Sequence, residues 1–306
     1  MTKPIPRETI WGGKSLRKYF DYPEDFGDSV GQCWAFSAQK GASTILSGGE
    51  YDGKTLLELW EEHPELFQSR YREFPYIISL VVPEDDLSIQ VHPDDTYAKQ
   101  LGLSHGKNEA WYFIRAPRSG NIVYGHNASD EPELRSMIAA GQWNALVRYM
   151  PVQTGDTVYI PAGTLHALRK GSVVYEIQQS TDITYRFYDY DRRDAQGRLR
   201  PLQLEQAISC LHYDQELSAA HPLPQEMECA GGHVTTCVEN DSFVVRKLVC
   251  HDGFKYCFPG YALITVSDGE GTINGIPAHL GQNFLVTVGT SISVSGNLVL
   301  LSTSEI

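Results

Sequence analysis

The sequence predicts a mainly β protein: two jelly-roll barrels of antiparallel strands, with a few helices added to the first. Three observations carry this expectation. Short runs rich in β-branched and aromatic residues, bounded by Gly, Pro, Asp and Asn, recur along the 306 residues. Ten such runs stand against three helix-patterned segments, too few to supply the crossovers of a parallel sheet. The stretches GDTVYIPAGTLHAL (155–168) and GQNFLVTVGTSISV (281–294) share one layout, a strand, a small-residue turn and a second strand, as two modules of one type would.

The clearest runs in the first two thirds are 74–82, 109–114, 156–160, 172–179 and 183–190, and LSIQVHPDD (87–95) adds a strand-like alternation. The runs 243–250, 261–268, 271–276, 283–288 and 297–302 follow. Thr55 and Glu58 stand at capping-box spacing and predict a helix over 55–62. Apolar spacing through Leu134, Ile138, Trp143 and Val147 predicts a helix over 131–148. A third opens at Pro201 and runs over 201–212. The chain is therefore expected to divide into a metal-binding unit over 1–200, a helix and linker over 201–226, and a smaller β unit over 227–306, whose segment GQNFLVTVGTSISV lacks the histidine of PAGTLHAL.

Composition narrows the function. Lys+Arg 25 against Asp+Glu 38 gives a net charge of -13, which disfavours nucleic acid and anionic membranes as partners. A small anionic substrate needs only a few local cations. The start MTKPIPRETIWGG lacks the apolar core of an export signal, and no stretch reaches the ~18 apolar residues of a membrane span. Six cysteines without a CxxC pair read as reduced thiols, so a cytoplasmic protein is expected.

Gln90 and His92 share a strand face because side chains alternate with period two. Glu109 opens the next aromatic strand, and His166 follows the tight turn PAGT. Two imidazoles, a carboxylate and a carboxamide oxygen suit a borderline ion such as Zn²⁺. Read singly, each is more often a hydrogen-bonded core or surface residue. Asp94 and Asp95 after Pro93 read as a turn and a helix cap. His105 and His126 sit in polar loops and are expected to be solvated. Tyr185, Tyr188 and Tyr190 read as wall or core, and GEGTING (269–275) as a glycine-rich hairpin.

The segments TIWGG, LSIQVHPDD, GKNEAWYFI, PAGTLHAL and STDITYRFYDYDR, in that order, resemble the type I phosphomannose isomerases, closest to their shorter bacterial branch. The likeness covers most of 8–200 and, more loosely, the rest. It implies a cupin fold, one Zn²⁺ per chain on Gln90, His92, Glu109 and His166, and a small sugar phosphate as substrate of a monomer or small homo-oligomer. It also implies interconversion of mannose 6-phosphate and fructose 6-phosphate through a cis-enediol. Lys107 is implied as base or phosphate contact, Asp182 and Arg186 as catalytic groups at four-residue spacing, and Ser88 as a phosphate neighbour. The segment GQCWAFS (31–37) departs from the family's acidic pattern: Gln32 and Ala35 replace acids. Two other readings remain open at this point. One is a sugar-phosphate-binding module without turnover; the other is an oxygen-dependent iron cupin, which more commonly uses three histidines, so that Gln90 weighs against it.

Overall fold

Alternation along the strand Glu109–Arg115 sets the layers of the molecule. In the computed structural model, which describes residues 1–194, 196–213 and 224–305, Trp111 and Phe113 enter one apolar core while Ala110 and Tyr112 enter another. Such a strand is buried on both faces, which explains its near-continuous apolar run.

Its sheet has six strands in the order Thr157–Ile160, Glu109–Arg115, Val173–Gln179, Tyr76–Val81, Val30–Phe36 and Ile5–Gly13. A five-stranded sheet faces it, in the order Val147–Pro151, Asn121–His126, His166–Ala167, Ile89–Val91 and Tyr185–Tyr188. Trp111, Val158 and Val174 from the first sheet and Ile122, Tyr124 and Leu168 from the second fill the space between them. This two-sheet antiparallel arrangement is the mainly β, cupin-type architecture that the sequence predicts.

Each outer face is covered. Leu134 on the helix Glu131–Ala139 and Ala207 and Ile208 on the helix Leu204–Cys210 pack on Val91, Val123 and Phe187 of the five-stranded sheet. The helix Leu56–Glu62 and the C-terminal residues Phe243, Leu263 and Leu301 cover the six-stranded sheet through Cys33, Ala35, Ile78 and Tyr175. The C-terminal unit is built on a ten-stranded sheet around Leu248, Ile264, Val266 and Leu300. Sheet membership does not follow chain order, because Thr2 pairs with Asn283 and with Leu46. The first strand therefore lies with the C-terminal sheet, outside the unit that a division at residue 200 would give it.

Three elements differ from the sequence expectation. The helix read over 131–148 ends at Ala139, because Gly141 adopts φ +65, and Val147 begins a strand paired with His126. The third helix starts at Leu204 rather than Pro201; the linker that follows lies mostly outside the described residues, and its end forms the strand Gln225–Cys229. The runs 261–268 and 271–276 join into one strand, Ala262–Ile273, which turns at Asn274 and Gly275 (φ +51 and +77) to form the expected hairpin.

The capping box is present. Glu58 N–H donates to Thr55 Oγ1 at 3.1 Å and Thr55 N–H to Glu58 Oε2 at 2.7 Å. Thr55→Ala is expected to cost about 1 kcal/mol of stability, read by urea unfolding.

A candidate metal centre between the two sheets

The strand Ile89–Val91 lies between His166–Ala167 and Tyr185–Tyr188. Gln90 is in register with His166 on one side and Arg186 on the other. Residues in register across a ladder share a face, so these three side chains form a row on one face of the five-stranded sheet. His92 follows immediately, and Glu109 comes from the opposite sheet. Their meeting is the centre of the site: Glu109 Oε1 lies 3.1 Å from His92 Nε2, and Glu109 Oε2 lies 3.5 Å from His166 Nε2.

Two glycines permit this approach. Gly106 packs so close to Pro93 that a Cβ would meet its carbonyl oxygen at 2.5 Å, and Lys107 N–H donates to that oxygen at 3.0 Å. Gly163, at φ +83, donates its N–H to the His92 carbonyl at 2.8 Å and turns the chain into His166. A side chain there would meet the His212 ring at 2.7 Å.

The imidazoles are oriented by backbone. His92 Nδ1 lies 2.8 Å from the Ile183 carbonyl and His166 Nδ1 lies 2.9 Å from the Thr164 carbonyl. A carbonyl only accepts, so each Nδ1 carries the hydrogen and each Nε2 presents a lone pair. Both Nε2 atoms and Glu109 Oε2 are buried without a hydrogen-bond partner among the described residues. Three lone-pair atoms within 4.8 Å of one another, with no proton among them, repel unless a cation lies between. The donor set therefore fits a divalent metal ion, with two imidazole nitrogens and a carboxylate as ligands.

Charge is distributed accordingly. Burial pushes both imidazoles down, His166 to about 4, with the neighbouring His92 charge adding to it and Lys107 adding to the effect on His92. Burial alone would raise Glu109, but Lys107 and the imidazoles hold it well below the usual carboxylate range. Lys107 is itself buried, with Nζ 3.0 Å from Glu109 Oε1.

The other predicted residues are placed as follows. Ser88 is buried one residue ahead of the strand Ile89–Val91. Gln90 is half-buried beside His166, and Arg186 beside Gln90 donates from Nη1 to the Pro201 carbonyl at 2.9 Å. Asp182 is exposed and precedes the strand, which begins only at Tyr185, so Asp182 and Arg186 do not share a strand. Asp182 instead lines a groove of about 1230 Å³ with Trp60, Tyr71 and His105. His105 is half-buried and shares a hydrogen bond with Thr181 Oγ1 at 3.0 Å, and His126 is buried rather than solvated. As read from the sequence, Asp94 caps a helix, accepting from Tyr97 N–H at 2.8 Å.

One group went unread in the sequence. Glu176 is buried in Val173–Gln179, where it accepts from Trp111 Nε1 at 2.9 Å and Gln32 Nε2 at 3.2 Å. Gln32 also donates to Ser79 Oγ at 2.9 Å. Burial, followed by the Glu109 charge, pushes Glu176 up to about 8. The Trp111 ring meets the His166 ring edge-on at 5.5 Å. An acid inside the apolar run VVYEI was the available signal.

Residues 3–116 match the family described as phosphomannose isomerase type I, catalytic domain. A mannose-6-phosphate isomerase of Streptococcus mutans is 41% identical over 266 residues, 86% of this chain and 83% of that protein. One from Bacillus subtilis is 39% identical over 300 residues, 94% of this chain and 92% of that one. The chain belongs to the type I phosphomannose isomerase family. A crystal structure of the mannose 6-phosphate isomerase from Bacillus subtilis superposes with a TM-score of 0.92 at 34% identity, covering 99% of this chain and 98% of that one. As an enzyme of this family, the chain carries the paired sheets and the His92, Glu109 and His166 cluster on a family scaffold. No helix among the described residues is long and apolar enough to cross a membrane.

The buried imidazoles make stability pH-dependent in a defined direction. The unfolded chain protonates them near their ordinary value of 6.5, whereas the folded chain resists down to about 4 at His166. At these groups the unfolded state thus binds more protons in that window, and their contribution to stability falls as pH falls. The Tm of metal-free protein minus that of His166→Asn is expected to fall progressively from pH 6.5 towards 4, a difference that separates the imidazole from Glu176, whose raised value acts in the opposite direction.

Proposed function

We propose that this enzyme interconverts mannose 6-phosphate and fructose 6-phosphate with one Zn²⁺ held by Gln90, His92, Glu109 and His166. The observation that carries the reading is the buried, unprotonated Nε2–Oε2–Nε2 constellation with Lys107 against it. It is supported by the names of the relatives, of which most of the length is shared. The ion would supply the positive charge that stabilises the oxygens of a sugar whose C1 and C2 exchange carbonyl and hydroxyl.

The protein's own groups do the rest. Thr164 and Ile183 fix the imidazoles, so the ligand atoms need no reorganisation. Proton transfer between C2 and C1, through a cis-enediol, needs one group that reaches both carbons, and Lys107 is proposed as that group because it is buried at the ligand carboxylate. Arg186, one strand beyond Gln90, is proposed to receive the phosphate: its guanidinium runs outward to Pro201, and its planar fork suits phosphate oxygens. Ser88 is proposed as a neighbour of the bound sugar phosphate. Asp182, exposed on a groove whose lining includes none of the cluster residues, is not proposed to move the proton. The cytoplasm is the proposed compartment, where phosphorylated sugars are available.

A coupled assay with mannose 6-phosphate tests the reading. Turnover to fructose 6-phosphate, about one Zn²⁺ per chain and loss of activity on chelation are expected; full activity in metal-free protein, or binding without turnover, rejects it. Lys107→Met is expected to keep its metal and lose about a hundredfold or more in kcat. An unchanged kcat in that variant removes Lys107 from proton transfer.

A further inference from the structure

Beyond Arg186 the chain runs to Asp189 and Arg192, turns back through a bridge between Arg193 and Leu199, and returns Arg200 to the same place. The returning segment is bonded along the site strand: Gln203 N–H donates to the Arg186 carbonyl at 2.9 Å, and Arg186 N–H to Gln203 Oε1 at 3.1 Å. Arg186 Nη1 reaches the carbonyl of Pro201, the residue after Arg200. The two arginines, fourteen positions apart in sequence, are therefore neighbours, and the Arg186 charge adds to burial in pushing the Arg200 pKa down.

Their shared counter-ion is insufficient. Asp189 is buried, with Oδ2 3.3 Å from Arg200 Nη1 and Oδ1 3.1 Å from Arg192 Nη2. Arg192 also faces the exposed Asp85 at 3.5 Å and the Asp86 carbonyl at 2.7 Å. Arg186 has no ion-pair partner among the described residues, and its Nε–H is buried without a hydrogen-bond partner there. Three guanidinium groups against two carboxylates leave one positive charge, half-buried, on the row that contains Gln90 and His166. Two strand spacings separate that row's ends, roughly 10 Å, comparable to an open six-carbon chain with its phosphate.

We propose that Arg200, oriented by Asp189, is a phosphate-binding residue that closes a two-arginine clamp with Arg186, itself held by the Pro201 carbonyl. The ligand is a phosphate dianion carried at the far end of the sugar. This inference rests on the isomerase reading for its substrate, but not for its ligand chemistry. Asp189 holds Arg200 in place, and the 22% of that side chain left exposed presents its remaining donors to the incoming oxygens.

Inorganic phosphate is the probe, with binding to the metal-loaded enzyme followed by calorimetry alongside steady-state kinetics. Arg200→Ala is expected to raise the phosphate Kd and the KM for mannose 6-phosphate together, by about tenfold or more, with kcat and metal content nearly unchanged. Arg200→Lys, which keeps the charge without the fork, is expected to fall between, and it decides the matter if the alanine variant does not fold. Unchanged KM and phosphate Kd in a folded variant, or a fall in thermal stability alone, overturns the clamp and leaves Arg200 a brace for Asp189. If the unaltered enzyme binds phosphate in an Arg200-dependent way yet isomerises nothing, the clamp stands and the isomerase reading fails.

Discussion

A single carboxylate, Glu109, reaches across from one sheet to two imidazoles on the other, and the arrangement of the site follows from that contact. An apolar core fills most of the space between the sheets, and Glu109 crosses it to approach His92 and His166. Because both Nδ1 hydrogens are committed to backbone carbonyls, the approach sets acceptor against acceptor. Such a contact is tolerated only with a positive charge nearby. Lys107 supplies one, and the ligand geometry leaves room for another.

The charges around this point are balanced for a particular guest. Glu109 and Lys107 offset one another, the imidazoles are neutral, and Glu176 is pushed towards its protonated form. A divalent ion would thus leave a buried excess of positive charge. On the proposed reading, an anionic substrate would offset that excess together with the charge on Arg186.

Much of this was legible because it depends on short-range alternation. Period two placed Gln90 and His92 on one side, and the capping pattern at Thr55 and Glu58 fixed a helix start. What failed was non-local. The strand-like alternation over 87–95 keeps only Ile89–Val91 in its ladder, which ends before Pro93, a residue with no N–H to donate. Asp182 and Arg186, implied as a pair at four-residue spacing, do not share a strand, because the ladder opposite ends at Val91 and Tyr185 is the first residue with a partner. Glu176 was unread because a buried acid looks like any other strand position until its donors, Trp111 and Gln32, arrive from distant segments.

The two departures from the family's acidic segment now separate physically. Gln32 faces the site, and its amide donates to Glu176 at 3.2 Å. A carboxylate in its place would set two acids at hydrogen-bond distance, and one would have to hold a proton for both. Glutamine removes that repulsion while keeping the contact, so the Trp111 indole that packs against His166 stays anchored through Glu176. Ala35 lies on the other face of the same strand, fully buried among Cys33, Ile78 and the C-terminal residues. An ionised side chain there would need a partner that this apolar layer does not provide. One replacement thus adjusts the electrostatics behind His166, and the other keeps the seam between the six-stranded sheet and the C-terminal sheet apolar.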